Sequence, residues 1–135
     1  KLGSIFSVAN NRNIQIMVQS FSFRTGSPTG IDMIFDCRFL KNPNWVKGLK
    51  DLNGTDEAVK DYLNKDKSWA PFKKNLLQMI SIVIPAFERE GKSYLSIGLG
   101  CTGGQHRSVF VAEQLYNYLL DKNCDVKILH TILQR

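Results

Sequence analysis

Ser93-Tyr-Leu-Ser-Ile-Gly-Leu99, then Gly100-Cys-Thr-Gly-Gly-Gln-His-Arg107, then Ser108-Val-Phe-Val-Ala-Glu-Gln-Leu-Tyr-Asn-Tyr-Leu-Leu120 follow one another without a break. The first block is a short apolar run and reads as a strand, with Gly100 to Gln105 as a loop. The third block reads as a helix with Val109, Ala112, Tyr116, Leu119 and Leu120 along one face. A helix begins with several backbone N–H groups that have no partner inside it, and its dipole adds partial positive charge there. Glycines at 103 and 104 allow the loop to fold back, so that further N–H groups converge on one anion. Arg107 adds a forked contact suited to phosphate oxygens, and Thr102 and His106 add donors. A tight glycine turn with no ligand would use the same glycines, but would not need Arg, His and Ser in one turn. The strand–loop–helix unit is therefore read as a phosphate site.

Working outward, Ile14 to Phe23 (IQIMVQSFSF) alternates apolar and polar residues over much of its length and predicts a strand. Thr25-Gly-Ser-Pro-Thr-Gly30 is a cluster of turn formers. Met33 to Cys37 reads as a short buried strand, and Lys41 to Asn53, punctuated by Asn-Pro-Asn and Leu-Asn-Gly, as irregular chain. Thr55 is the expected cap of a helix that carries Asp56 and Glu57 in its first turn and Ala58, Val59, Tyr62 and Leu63 on its apolar side. Pro71 suits the first turn of a second helix, where Phe72, Leu76, Met79, Ile80, Val83 and Phe87 recur at helical spacing; Pro85 is expected to distort its end. A last strand is expected over Val126 to Leu129. Strands alternating with helices predict an α/β layered sheet with flanking helices. Residues 1–13 are polar and read as a lead-in, and residues 14–135 as one domain.

The chain has 135 residues, 43% hydrophobic and 22% charged, the balance of one globular domain. No apolar run approaches the roughly 18 residues of a membrane span, and Lys1 to Asn11 has no signal-peptide core. Lys1 stands where a methionine would begin a chain, which reads as a fragment of something longer. Cys37, Cys101 and Cys124 are odd in number and lack metal-ligand spacing, so free thiols in a reducing cytoplasm are expected. The net charge of +6 favours anionic partners without choosing among them.

Cys101, five residues, then Arg107-Ser108 also fits the C-x5-R-[ST] pattern of cysteine-dependent phosphatases. A helix N-terminus would lower the thiol pKa as that chemistry needs. Those enzymes usually carry histidine just before the cysteine, where Gly100 stands, and they need an acid for the leaving group. The sequence identifies no such acid.

Phe35-Asp-Cys-Arg-Phe-Leu-Lys-Asn-Pro43, Asn53-Gly-Thr-Asp56 and above all Gly100-Cys-Thr-Gly-Gly-Gln-His-Arg-Ser-Val109 resemble the C-terminal domain of the RNase adapter protein RapZ family, over roughly Ile14 to the end. The resemblance implies a fold similar to a sugar-phosphate-binding subdomain of phosphofructokinase. It implies sensing of glucosamine-6-phosphate and binding of small RNA, which enterobacterial members present to an endoribonuclease that adjusts the glucosamine-6-phosphate synthase. A two-component system and a homo-oligomer are further implied partners. ATP and GTP binding and hydrolysis belong to an N-terminal Walker-type domain of the family. No G-x-x-x-x-G-K-[ST] occurs in this chain, so no nucleotide cofactor and no enzymatic activity are expected of it.

The implied ligand pocket maps onto Asp36, Arg38, Cys101, Thr102, Gly103, Gly104, His106 and Arg107, with Asn44 beside them. Asp36 would take hydrogen bonds from an amino sugar or orient Arg38; a plain Asp–Arg pair tying down a loop is the alternative. Asn44 stands where many members carry histidine, and Thr25 where enterobacterial members do. The basic tail used for RNA is thin here, with Lys127 and Arg135 in Val126 to Arg135. His130 is read as packing or surface, Cys37 and Cys124 as core-filling thiols, and Trp45 and Trp69 as anchors for their loops. The lysine-rich stretches Lys41 to Lys50 and Lys60 to Lys74 read more as solvated faces than as an RNA surface, since aromatics are not regularly interleaved.

Overall fold

A computed structural model describes residues 14–133. The lead-in at 1–13 and the RNA candidate Arg135 lie outside the described residues. The order is β1 (Gln15–Ser22), β2 (Met33–Asp36), α1 (Glu57–Asn64), α2 (Trp69–Arg89), β3 (Tyr94–Cys101), α3 (Arg107–Asp121) and β4 (Asp125–His130), with a 3-10 turn at Pro43–Trp45. The strands form a parallel sheet in the order β2-β3-β1-β4, and the α/β expectation holds.

Register explains why one face is apolar. Ile16 pairs with Leu95 and Val126, Val18 with Ile97 and Ile128, and Met33 and Phe35 with Ile97 and Leu99. These side chains share one core with Val59 and Leu63 of α1, Leu76, Ile80 and Ile84 of α2, and Phe110, Val111, Leu115 and Leu119 of α3. Among the described residues, the helices therefore lie on that face.

The other face carries the connection between β1 and β2, residues 23–32, which must cross β3 because β3 sits between β2 and β1. A Cβ on Gly98 would lie 2.8 Å from Ile31 Cδ1, and one on Gly100 would lie 2.6 Å from both Phe21 Cζ and Phe23 Cε2. Glycine is needed at these two strand positions so that the crossing segment can lie against the backbone.

Three local expectations change. The α1 cap is Asp56 rather than Thr55, and its carboxylate accepts the N–H of Asn53 at 2.8 Å. Thr55 is instead held by Asn53, whose Oδ1 accepts both its N–H and its hydroxyl. Helix α2 continues through Pro85 to Arg89. The lost hydrogen bond and ring clash cost about 3 kcal/mol, while fully burying Ile80 and Ile84 contributes roughly 2 kcal/mol each and holds the turn in place. In α3, Phe110, Val111 and Leu115 are buried as well, whereas Leu120 is 44% exposed. The N-terminal half of α3 is covered on a second side, because the backbone at Gly54 lies against it. A Cβ there would sit 2.4 Å from the His106 carbonyl oxygen.

Candidate functional site

The cavity at the C-terminal edge of the sheet is built by the segments that follow β1, β2 and β3. Arg24 comes from the first, Asn42, Asn44 and Trp45 from the second, and Cys101, Thr102, Gly103, Gln105, His106 and Arg107 from the third. Its volume is about 280 Å³. In a parallel sheet this edge, beside the point where connections leave in opposite directions, is where ligands bind.

Strand β3 extends one residue pair further than the sequence suggests, ending at Cys101. From there the loop is stitched to β1: Phe23 N–H donates to the Cys101 carbonyl at 2.9 Å, and Ser22 Oγ donates to the Thr102 carbonyl at 2.6 Å. Gly104 adopts φ +69°, the left-handed region. A Cβ there would lie 2.7 Å from Ile132 Cγ1 and 2.9 Å from the Ser22 nitrogen. None of the backbone N–H groups from Thr102 to His106 donates to another described backbone carbonyl.

Arg107 is 5% exposed. Its Nη1 donates to the carbonyls of Arg38 (2.8 Å) and Leu40 (3.1 Å), and its Nη2 donates to Thr102 Oγ1 (3.3 Å). Among the described residues no carboxylate pairs with it. A guanidinium has five N–H donors, so Nε and part of Nη2 remain available, on a cavity-lining side chain whose charge is largely out of water. A buried cation is costly without a counter-charge.

His106 is also buried, and its Nε2 lies 3.1 Å from the carbonyl oxygens of both Leu49 and Lys50, so Nε2 carries the proton it donates there. Burial pulls its pKa below the ordinary imidazole value, and the carbonyls of Leu49, Lys50 and Leu52 oppose that shift. Beside it, Gln105 Nε2 donates to the carbonyls of Lys50 and Leu52, and the Gly54 N–H donates to the Gln105 carbonyl. The Nε2 proton of His106 thus holds the 49–52 backbone, while the residue still lines the cavity.

Among the described residues the cavity thus combines a buried arginine that no carboxylate salt-bridges with loop N–H groups that no backbone carbonyl accepts. The family described as the RapZ C-terminal domain matches residues 14–134. The chain belongs to the RapZ C-terminal domain family. A nucleotide-binding protein of Cereibacter sphaeroides is 51% identical over 122 residues, covering 90% of this chain and 40% of that protein. One from Dinoroseobacter shibae is 45% identical over 130 residues, 96% of this chain and 43% of its own length. A third, from Citrifermentans bemidjiense, is 44% identical over 117 residues, 87% and 41% respectively. The chain spans about two-fifths of the length of these relatives.

Within this RapZ-type domain, Asp36 and Arg38 face each other. Arg38 Nη2 and Nε lie 2.6 and 3.0 Å from Asp36 Oδ2, and the guanidinium stacks 4.2 Å above the Phe23 ring. The hydrogen bonds from Arg38 hold the Asp36 carboxyl below its usual range. Both side chains are about half exposed and neither lines the cavity. Their geometry is that of a pair fastening the end of β2. Asn44 does line the cavity, while Gly104 shapes the loop without appearing in the lining.

Sequence reasoning missed Arg24, Asn42 and Gln105 as cavity residues. It also misread Trp45, which is 82% exposed rather than anchored, whereas Trp69 is buried against Phe110. No simple pattern distinguishes the two tryptophans; the Asn-Pro turn beside Trp45 was the available signal. Lys127 projects from the helix-free face of β4, opposite in the sheet to the buried row, and lines a separate small recess with Met17 and Tyr94. His130 is buried, with Nδ1 2.7 Å from Ser20 Oγ and Nε2 2.6 Å from Glu113 Oε2, tying β4, β1 and α3 together as packing. Cys37 is wholly buried and its thiol is pushed up by desolvation; Cys124 is half-buried and pushed up to about 12 for the same reason. The three thiols are free. Among the described residues there is no His/Cys/Asp/Glu cluster that would hold a metal, and no helix is long and apolar enough to cross a membrane.

Proposed function

We propose that this domain is a regulatory sensor that holds a phosphorylated amino sugar in the β3–α3 cavity and converts occupancy into a change in RNA or protein binding. The observation that carries the reading is Arg107, a buried cation that among the described residues has no carboxylate in salt-bridge contact, set beside loop N–H groups that no described backbone carbonyl accepts. A dianionic phosphate supplies the missing charge and the missing acceptors together. Selectivity for glucosamine-6-phosphate rests on the family resemblance, since the cavity lining itself contains no carboxylate for an ammonium group. The family relation also supports a small RNA, an endoribonuclease, a two-component system and a homo-oligomeric assembly as partners in the cytoplasm. ATP or GTP would be held by the remaining part of such a protein, because this chain has no Walker sequence. Lys127 and Arg135 are the RNA candidates in the tail.

Thermal stabilisation tests this directly. A ligand that binds only the folded state raises the melting temperature once it exceeds its dissociation constant. A shift selective for glucosamine-6-phosphate over glucose-6-phosphate and inorganic phosphate supports the sensor. Equal shifts reduce it to a generic anion site, and no shift at millimolar ligand sinks it.

One observation favours a second reading, cysteine phosphatase chemistry. Cys101 Sγ donates to Ser108 Oγ at 3.2 Å and accepts the Ser108 N–H at 3.3 Å, which seats the sulfur at the start of α3, where such enzymes hold their nucleophile. Against it, Cys101 is 2% exposed and the lining holds no carboxylic acid to protonate a leaving group.

A further inference from the structure

We infer that Cys37 and Cys101 are a redox pair, which hydrogen peroxide joins in a disulfide between the ends of β2 and β3. The inference does not depend on what the cavity holds.

The pairing follows from register. Asp36 lies opposite Gly100, and the Cys37 N–H donates to the Gly100 carbonyl at 2.7 Å, so the ladder runs on past the end of β2. Cys37 and Cys101 are the next opposed pair. Neighbouring strands lie about 4.8 Å apart, inside the roughly 4.4–6.8 Å between Cα atoms that a disulfide spans. Side chains alternate along a strand, so opposed residues of this ladder share a face. Both thiols stand on the face of Phe35, Leu99 and the helices. Cys37 belongs to the core there, and Cys101 Sγ meets Ser108 at the start of α3. Burial pushes the Cys37 thiol up, and the neighbouring Cys101 sulfur adds to that shift.

The two positions differ in access. Cys37 is wholly enclosed, whereas Cys101, itself 2% exposed, is among the residues that line the cavity. Hydrogen peroxide is small enough to enter there, which gives the chemistry an order. The Cys101 sulfur attacks one peroxide oxygen, the O–O bond breaks, and one water leaves with Cys101 as a sulfenic acid. The Cys37 sulfur then attacks that sulfur and the S–O bond breaks. A second water carries off the hydroxyl and the thiol proton. Two thiols lose two electrons, and the peroxide gains them. With the Cys37 thiol held protonated by burial, the second step is the slow one. The new bond adds to a tie that the fold already makes, because Arg107 holds the Arg38 carbonyl one residue past Cys37.

Cys124 is the internal control, since it is a free, half-buried thiol beyond α3. In an unfolded chain the shorter segment from Cys101 to Cys124 closes more readily than the longer one from Cys37 to Cys101. The fold reverses that preference.

The test treats the full chain with hydrogen peroxide under folding conditions, unfolds it in an alkylating reagent and digests it with trypsin. The expected product is peptide 25–38 joined to peptide 93–107 and split by dithiothreitol, with free thiols falling from three to one. The same treatment in urea should mainly join 93–107 to 123–127. Cys101→Ser should abolish the folded-state product, and Cys124→Ser should leave it unchanged. Absence of the 25–38 to 93–107 product, with Cys101 either untouched or carried to sulfinic acid, would overturn the pair. The same mixture of pairings in the folded chain and in urea would overturn it too, because the fold would then not be choosing the partners.

Discussion

Arg107 Nη1 donates to the main-chain oxygen of Arg38 at 2.8 Å, so the cation facing the cavity is also the tie between α3 and the segment after β2. The same nitrogen holds the Leu40 carbonyl, and Lys41, next in sequence, is fastened by its N–H to Asp66 at 2.7 Å. Position of the guanidinium is thus set by the fold before any anion arrives. Such pre-setting lowers the ordering cost of binding.

Arg107→Ala should therefore lose two things at once. Leaving the Arg38 and Leu40 carbonyls without a donor costs about 1–3 kcal/mol of stability, and the anion loses its buried cation. Arg107→Lys keeps the charge but cannot keep both carbonyls and the phosphate with one fork. Chemical denaturation with and without phosphate ligand should show Lys intermediate in stability and weak in binding. Full ligand affinity in Arg107→Lys would count against the forked contact.

Gly104→Ala places a methyl group where Ile132 Cγ1 and the Ser22 nitrogen already lie, on a backbone at φ +69°. The left-handed conformation alone costs roughly 1–2 kcal/mol for a non-glycine residue, and the contact with β1 backbone cannot move aside. Ile132→Ala in the same chain should relieve only the contact with the isoleucine, so the double variant should remain less stable than Ile132→Ala alone. Equal stability of those two proteins would show that the loop relaxes freely at 104.

Cys101→Ser separates the sensor from the phosphatase. The serine hydroxyl can still meet Ser108, at 3.2–3.3 Å from the position of the thiol, so the loop should keep its shape. Ligand-induced stabilisation should change less than threefold, and no phosphomonoester turnover should be present in the parent chain to be lost. Turnover in the parent chain that vanishes in Cys101→Ser would establish the enzyme reading instead.

How much of this was legible in the sequence differs between levels. Period-two alternation in Ile14 to Phe23 and the apolar run before Gly100 were local signals, and the sheet uses both. The crossing of residues 23–32 over β3 was not legible, since nothing local says that Gly98 and Gly100 lie under Ile31, Phe21 and Phe23. The loop could be put forward as an anion site from sequence because its candidate groups are contiguous, from Cys101 to Arg107. Arg24 and Trp45 join it only through the sheet order, which brings the segments after β1 and β2 to the end of β3. His106 was assigned to the ligand from its position in the loop. Its backbone partners, the carbonyls of Lys50 and Leu49, lie 56 and 57 residues away, where only the fold could place them.

His106 also gives the loop a pH dependence whose sign can be fixed. Burial depresses its pKa below the reference value of 6.5, so the folded state binds the proton less readily than the unfolded chain. Between the depressed value and 6.5 the unfolded chain carries more protons, and stability rises with pH across that window. The contribution is complete above about 6.5 and is lost as pH falls toward the folded value, at no more than about 1.4 kcal/mol per pH unit for one site. His106→Gln offers an amide N–H to the same carbonyls without titrating. The difference between the denaturation free energies of parent and variant, followed from pH 8 to pH 5, should fall on acidification only below about 6.5. A flat difference would mean that the His106 ring is no harder to protonate in the fold than out of it, and a difference rising toward acid would mean that the Leu49 and Lys50 carbonyls outweigh burial.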